Sequence, residues 1–173
     1  VEVGSLSITS FRKYHDAADP HSFLIEGEGH AVGVFTDIGR VCEQVIHFFR
    51  RCDAVFLEAN YDTDMLMQGR YPIFLKNRIR GGYGHLSNAE ALELFINHRS
   101  KKLSHLFLSH LSRDNNDPEL ARQLFNQHRG ETEIVIAGRY AETAVYEIGG
   151  KPTRMTGEVP QALISPHYQS VSG

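Results

Sequence analysis

The hydrophobic positions fall into short runs with two different periods. Leu6-Ser-Ile-Thr-Ser-Phe11 alternates apolar with polar, the pattern of a half-buried strand. Ser22-Phe-Leu-Ile-Glu26 and Ala31 to Thr36 predict two more strands, joined as a hairpin through Gly27-Glu-Gly29. The period then changes: Val41, Val45 and Phe48/Phe49 share one face of a helix that runs to about Arg50. Ala54 to Leu57 and Leu103 to Ser109 are dominated by apolar residues, as expected of parallel strands covered on both faces. Between them, Tyr61 to Gly84 shows neither period. With Pro72, Gly81-Gly82 and three cations inside it, this stretch is expected to be irregular. Ser87-Asn-Ala-Glu90 matches a capping box and opens a helix with Leu92, Phe95 and Ile96 as its apolar stripe. Asp117-Pro118-Glu119 places an N-cap, a proline at the first helical position and an acid in the first turn of a helix ending near His128. Glu133 to Ala137 and Ala144 to Ile148 read as final strands. Strands alternating with helices predict an α/β sheet with helices on at least one face. Residues 1–150 form one domain in this reading. Residues 151–173, rich in proline, serine and glycine and without periodicity, form a loosely packed tail.

Polar residues cluster where the buried runs end. Leu108-Ser109 hands over to His110-Leu-Ser-Arg-Asp-Asn-Asn116, Phe35 to Thr36-Asp37, and Leu57 to Glu58-Ala-Asn60-Tyr-Asp62. Parallel strands deliver functional groups from their C-terminal ends in this way. His85 stands just before the capped helix, and His15 follows the first long strand. Two imidazoles and a carboxylate (His15, His110 and Asp37) suit zinc, manganese or iron. Taken singly, each residue also has an ordinary reading as a surface histidine or a turn aspartate.

Charge narrows the picture little. Eighteen basic against twenty-one acidic residues leave a net charge of −3, so only a local basic patch would favour nucleic acid. Cys42 and Cys52 fit no zinc motif and make a poor disulfide framework, which points to reduced thiols in the cytoplasm. No apolar run approaches the roughly 20 residues that cross a bilayer, and no signal peptide is expected. Val1 stands where an initiator methionine would, directly ahead of strand-like sequence, as expected of a chain that continues upstream.

Five ordered words, Tyr14-His15-Asp16-Ala17-Ala18-Asp19-Pro20, Phe35-Thr36-Asp37-Ile38-Gly39, Leu57-Glu58-Ala59-Asn60-Tyr61-Asp62, Gly84-His85-Leu86-Ser87-Asn88 and Ser109-His110-Leu111-Ser112-Arg113-Asp114-Asn115-Asn116, resemble the later motifs of the metallo-β-lactamase-fold hydrolases. The similarity is to the YycJ/WalJ-like subgroup, related to ribonuclease Z and other phosphodiesterases of that fold, and it spans about Leu6 to Ile148. The resemblance implies the C-terminal half of an αββα sandwich. It implies His15 on a first divalent metal, Asp37 bridging two metals and His110 on the second. The metals expected are two, zinc foremost, with manganese or iron in its place. It implies His85 as a catalytic acid toward the leaving group rather than a ligand, with Glu58 and Asn88 in support and Asn60 lining the substrate edge. The family's hallmark His-x-His-x-Asp-His run is absent from this sequence. The remaining donors are therefore expected from an N-terminal segment, which is the first partner the chain needs.

The second partner expected is nucleic acid. Lys76, Arg78 and Arg80 lie just ahead of His85 and are read as a phosphate-binding rim, with Tyr71 and Tyr83 placed to stack a base. Arg12-Lys13 is read as a solvated face. The favoured function is metal-dependent phosphodiester hydrolysis of DNA or RNA. A hydrolase of small esters, thioesters or lactams, and a non-catalytic half-domain acting as scaffold or regulatory piece, are the alternatives.

Overall fold

The computed structural model describes residues 1–149 and the pair Arg154–Met155. In chain order its elements are β1 (Glu2–Val3), β2 (Leu6–Arg12), β3 (His21–Gly27), β4 (His30–Phe35), α1 (Glu43–Phe49), β5 (Ala54–Glu58), α2 (Thr63–Gln68), α3 (Ile73–Ile79), α4 (Asn88–His98), β6 (His105–Ser109), α5 (Pro118–Asn126), β7 (Glu133–Ile136), β8 (Val145–Tyr146) and β9 (Arg154–Met155). Strands β1 to β7 make one seven-stranded sheet in sequential order. Tight turns pair β1 to β4 antiparallel, whereas the helical crossovers make β4 to β7 parallel. Because right-handed crossovers in a steadily advancing sheet fall on one side, α1, α4 and α5 cover the same face. Their Val45, Phe49, Leu94, Phe95, Ala121 and Phe125 meet Leu24, Phe35, Leu57, Leu106 and Leu108 in the main core. Cys52 lies in that core, where burial pushes its thiol up to about 12. Among the described residues no helix is long and apolar enough to cross a membrane.

The segment from Tyr61 to Gly84 departs from expectation: it holds two helices. Asp62 caps α2 by accepting the Met65 N–H at 2.9 Å. Pro72 does not break a helix but begins α3, since it stands at the N-cap, where no backbone N–H is needed. Each helix buries a single residue, Leu66 in α2 and Lys76 in α3, so neither carries an apolar stripe for the 3.6-residue period to show. The expected strand over Ala144 to Ile148 shrinks to Val145–Tyr146, which pairs with β9 instead of the central sheet. The loose-tail reading of residues 151–173 falls outside the described residues except at Arg154–Met155.

Candidate metal centre

Three strands point their C-terminal ends at one place. Asp37 comes two residues after β4, Glu58 is the last residue of β5, and His110 is the first residue after β6. Asp37 and His110 both leave their strands in the left-handed conformation, with φ of 54° and 56°. That conformation is uncommon outside glycine and turns each side chain sharply off the strand direction. Two loops complete the site. The loop after β2 carries His15 and the loop before α4 carries His85; they are tied together where the Asp16 N–H donates to the Tyr83 carbonyl at 2.9 Å. Gly39 allows this approach, because a Cβ there would lie 2.5 Å from the Tyr83 backbone.

The imidazoles are oriented by what their Nδ1 atoms touch. His15 Nδ1 donates to the Gly84 carbonyl at 2.8 Å. His85 and His110 Nδ1 donate to the same oxygen, Oε1 of Glu58, at 2.6 and 2.9 Å. A carbonyl oxygen or carboxylate only accepts, so each ring keeps its proton on Nδ1 and turns the Nε2 side outward. Glu58 is fully buried, and its other oxygen accepts the Ile38 N–H at 2.6 Å. Burial alone would push the Glu58 carboxyl up. The hydrogen bonds from His110, His85 and Ile38 outweigh it and hold the carboxyl below its usual range. The same bond to Glu58, opposed by burial, raises the pKa of His110.

Nε2 of His15 and of His110 lie 3.7 and 3.6 Å from Oδ1 of Asp37. These distances are longer than hydrogen bonds but suit ligand atoms that share one ion. With Nδ1 protonated, the atoms facing each other are all acceptors. A cation fits such a set, and the carboxylate–imidazole pairing behind it is the support that metal-binding histidines require. One nitrogen of His85 also comes within 4.8 Å of donor atoms of His15 and Asp37. Position alone therefore lets His85 serve as a donor as well as an acid.

The other residues singled out in the sequence lie apart or play different parts. Asn60 donates its amide to the His110 carbonyl at 2.8 Å and so holds the turn that aims His110. Asn88 is buried and exchanges amide hydrogen bonds with Asn116, whose amide also reaches the Ala59 carbonyl at the end of β5. The three-cation rim does not form. Lys76 is only 8% exposed and donates to the Met67 carbonyl at 2.6 Å, because α3 turns it inward against α2. Arg78 lines the cleft and binds Asp16 at 2.5 Å; Arg80 bonds Asn77. Lys13 is no solvated residue either. Its ammonium donates to the Thr36 carbonyl behind Asp37, and burial lowers its pKa against the opposing pull of Asp37 and Glu58. Asp16 went unassigned in the sequence, although its Oδ1 lies 3.6 Å from His15 Nε2. Its place next to His15 was the one available signal. Arg139 and Tyr140, which also line the cleft, gave none.

Comparison with known proteins follows the same lines. The model of a β-lactamase superfamily domain matches residues 1–110. An exodeoxyribonuclease YycJ of Bacillus anthracis is 34% identical over 124 residues, which cover 72% of this chain and 47% of that protein. An exodeoxyribonuclease WalJ of Streptococcus pneumoniae is 34% identical over 133 residues, 77% of this chain and 49% of that protein. The chain thus spans about half the length of the curated relatives it matches. Among solved structures, the metallo-β-lactamase fold protein YhfI from Bacillus subtilis superposes with a TM-score of 0.60 at 19% identity, covering 79% of this chain and 48% of that one.

Proposed function

The chain belongs to the β-lactamase superfamily, and from that premise we propose that it is the metal- and substrate-binding part of a phosphodiester hydrolase acting on nucleic acid. The reading is carried by one observation: three imidazoles, each with Nδ1–H spent on a protein oxygen, converge on the Asp37 carboxylate. His15, Asp37 and His110 would hold divalent metal, with Asp37 between the two histidines. Three donors are too few for two ions, and residues outside this sequence would supply the others. Bound metal would contribute Lewis acidity toward a phosphoryl oxygen and a more acidic water.

The chain's own groups do the rest. Glu58 holds His85 and His110 in one orientation and one tautomer. His85, anchored through Nδ1, presents its other nitrogen to the cleft, and as the imidazolium it donates a proton to the departing oxygen. Arg78, Arg113 and Arg139 on the cleft wall suit a phosphate better than a neutral ester. The nuclease names of YycJ and WalJ agree with that choice.

The test is zinc and manganese binding by the protein, followed by hydrolysis of bis(p-nitrophenyl) phosphate, labelled DNA, labelled RNA, p-nitrophenyl acetate and a β-lactam. Asp37→Ala should abolish tight metal binding. Glu58→Gln should weaken it about 10- to 100-fold, since a group behind the ligands is lost. Turnover of the ester or lactam but not of the phosphodiesters would overturn the substrate class. Metal binding unaffected by Asp37→Ala would overturn the centre.

A further inference from the structure

Two cavities meet at His110. The first, about 440 Å³, reaches from His85 and Asn60 to the apolar wall of Leu75 and Ile79. The second, about 670 Å³, runs along Leu111, Ile136 and Ala137. They share one dividing ridge: Ser112 and Arg113 from the loop after β6, Arg139 and Tyr140 from the loop after β7. Resting on the phosphodiesterase reading, we propose that this ridge takes an unpaired nucleic-acid strand, with one base in each cavity and the phosphate between them beside His110.

Size comes first. Each cavity is open to solvent and has room for one small-molecule-sized group. A base in a duplex is stacked and paired, so it enters such a space only after leaving the stack. The walls come next. Leu75 with Ile79, and Leu111 with Ile136, line the two cavities with apolar side chains that a base face can cover, whereas a polar metabolite would leave them unused. Tyr140 is 83% exposed and buries little of its ring. A tyrosine kept for packing would be covered; one that stacks a sequence-independent ligand is left open. The charges are placed to match. Arg139 is held by the Leu111 carbonyl at 3.2 Å and Arg113 by Asp114 at 3.4 Å, and a guanidinium carries five donors, so both retain several for a phosphate. The two acids in the first cavity are already engaged. Asp16 accepts from Arg78, and Asp114 accepts from Arg113 and the Tyr71 hydroxyl.

Binding can be read without turnover. Fluorescence anisotropy in chelator would follow a labelled oligothymidylate of about ten nucleotides and a hairpin duplex of similar length. The single strand should bind more tightly than the duplex. Tyr140→Ala should raise its Kd by about five-fold to a hundred-fold, the range of one lost stacking partner, and Tyr140→Trp should restore it. Arg139→Ala should flatten the slope of log affinity against log salt by about one unit. Circular dichroism would establish that these surface variants are folded. Equal affinity for duplex and single strand, or a Tyr140→Ala variant that binds like the parent, would overturn the proposal. A protein that binds strands through Tyr140 yet hydrolyses no phosphodiester would instead overturn the function proposed above and leave the ridge intact.

Discussion

At the scale of single residues, histidine does two opposite jobs here. His15, His85 and His110 are held in loops around the cleft, each with its Nδ1 satisfied. His105, at the far end of β6, is fully buried against Phe107 and Tyr146. Its Nδ1 meets Ser104 Oγ at 2.9 Å, while Nε2 has no hydrogen-bond partner among the described residues. Burial lowers its pKa, and Glu133 at 3.7 Å opposes this only in part. The unfolded chain therefore takes up this proton before the folded one does. The contribution is complete above the unfolded pKa of about 6.5 and is lost as pH falls through that value toward the depressed folded pKa. Urea unfolding between pH 8 and about 5 should show this acid limb. His105→Phe should shrink it, because Ser104 keeps its bond to the Asp53 carbonyl and a phenyl ring suits the aromatic cluster. An acid limb of undiminished depth in the variant would assign it to other groups. His105 and His110 lie on or beside the same strand; His110 opens the polar word after the buried run, whereas His105 stands inside that run.

At the scale of elements, α4 and α5, opened by a capping box and by Asp-Pro-Glu, were legible, and α2 and α3 were not. The Ser87–Glu90 box forms as written, with Glu90 Oε2 accepting the Ser87 N–H at 2.9 Å, and Asp117 caps α5 through the Glu119 N–H at 2.7 Å. Both signals are local, so they survive without knowledge of the fold. Whether Lys76 faces water depends instead on where α3 lies against α2. Its ammonium is used on a carbonyl of α2 and should not meet phosphate. Lys76→Met should leave the salt dependence of oligonucleotide binding unchanged. It should cost about 1–3 kcal/mol in urea unfolding, the usual penalty for stranding a buried polar partner. A salt slope flattened by about one unit would return Lys76 to the binding surface.

At the scale of the molecule, the sheet is covered unequally. Helices cover one face, whereas on the other, among the described residues, Phe56, Ala137, Tyr146 and Ile148 pack against Ala54, Phe107 and Val135. Beside that small cluster, Phe23 is 41% exposed, and Ile25, Val32 and Val34 are partly exposed on adjoining strands. Contiguous apolar surface of this kind attracts apolar dyes and other protein surfaces. The 173-residue chain should enhance the fluorescence of anilinonaphthalene sulfonate in its folded state. Replacing Phe23 and Val34, which face each other across β3 and β4, with lysine should reduce that signal without loss of secondary structure. Equal fluorescence from the two proteins would show that the face is closed to the probe.

The amino-acid sequence by itself determined the order and type of the long elements, the capped helix starts, and the polar words that close each buried strand. Those depend on periodicity and on contacts within a few residues. Tertiary structure decided what becomes of those words. Parallel pairing of β4, β5 and β6 brings Asp37, Glu58 and His110 together across 73 residues of sequence, 110 less 37. Only then does one carboxylate orient two imidazoles and a lysine turn inward, while an arginine and tyrosine from the loop after β7 reach the cleft. A side chain's protonation, exposure and partners come from neighbours distant in the chain, and no local pattern of letters records which neighbours those will be.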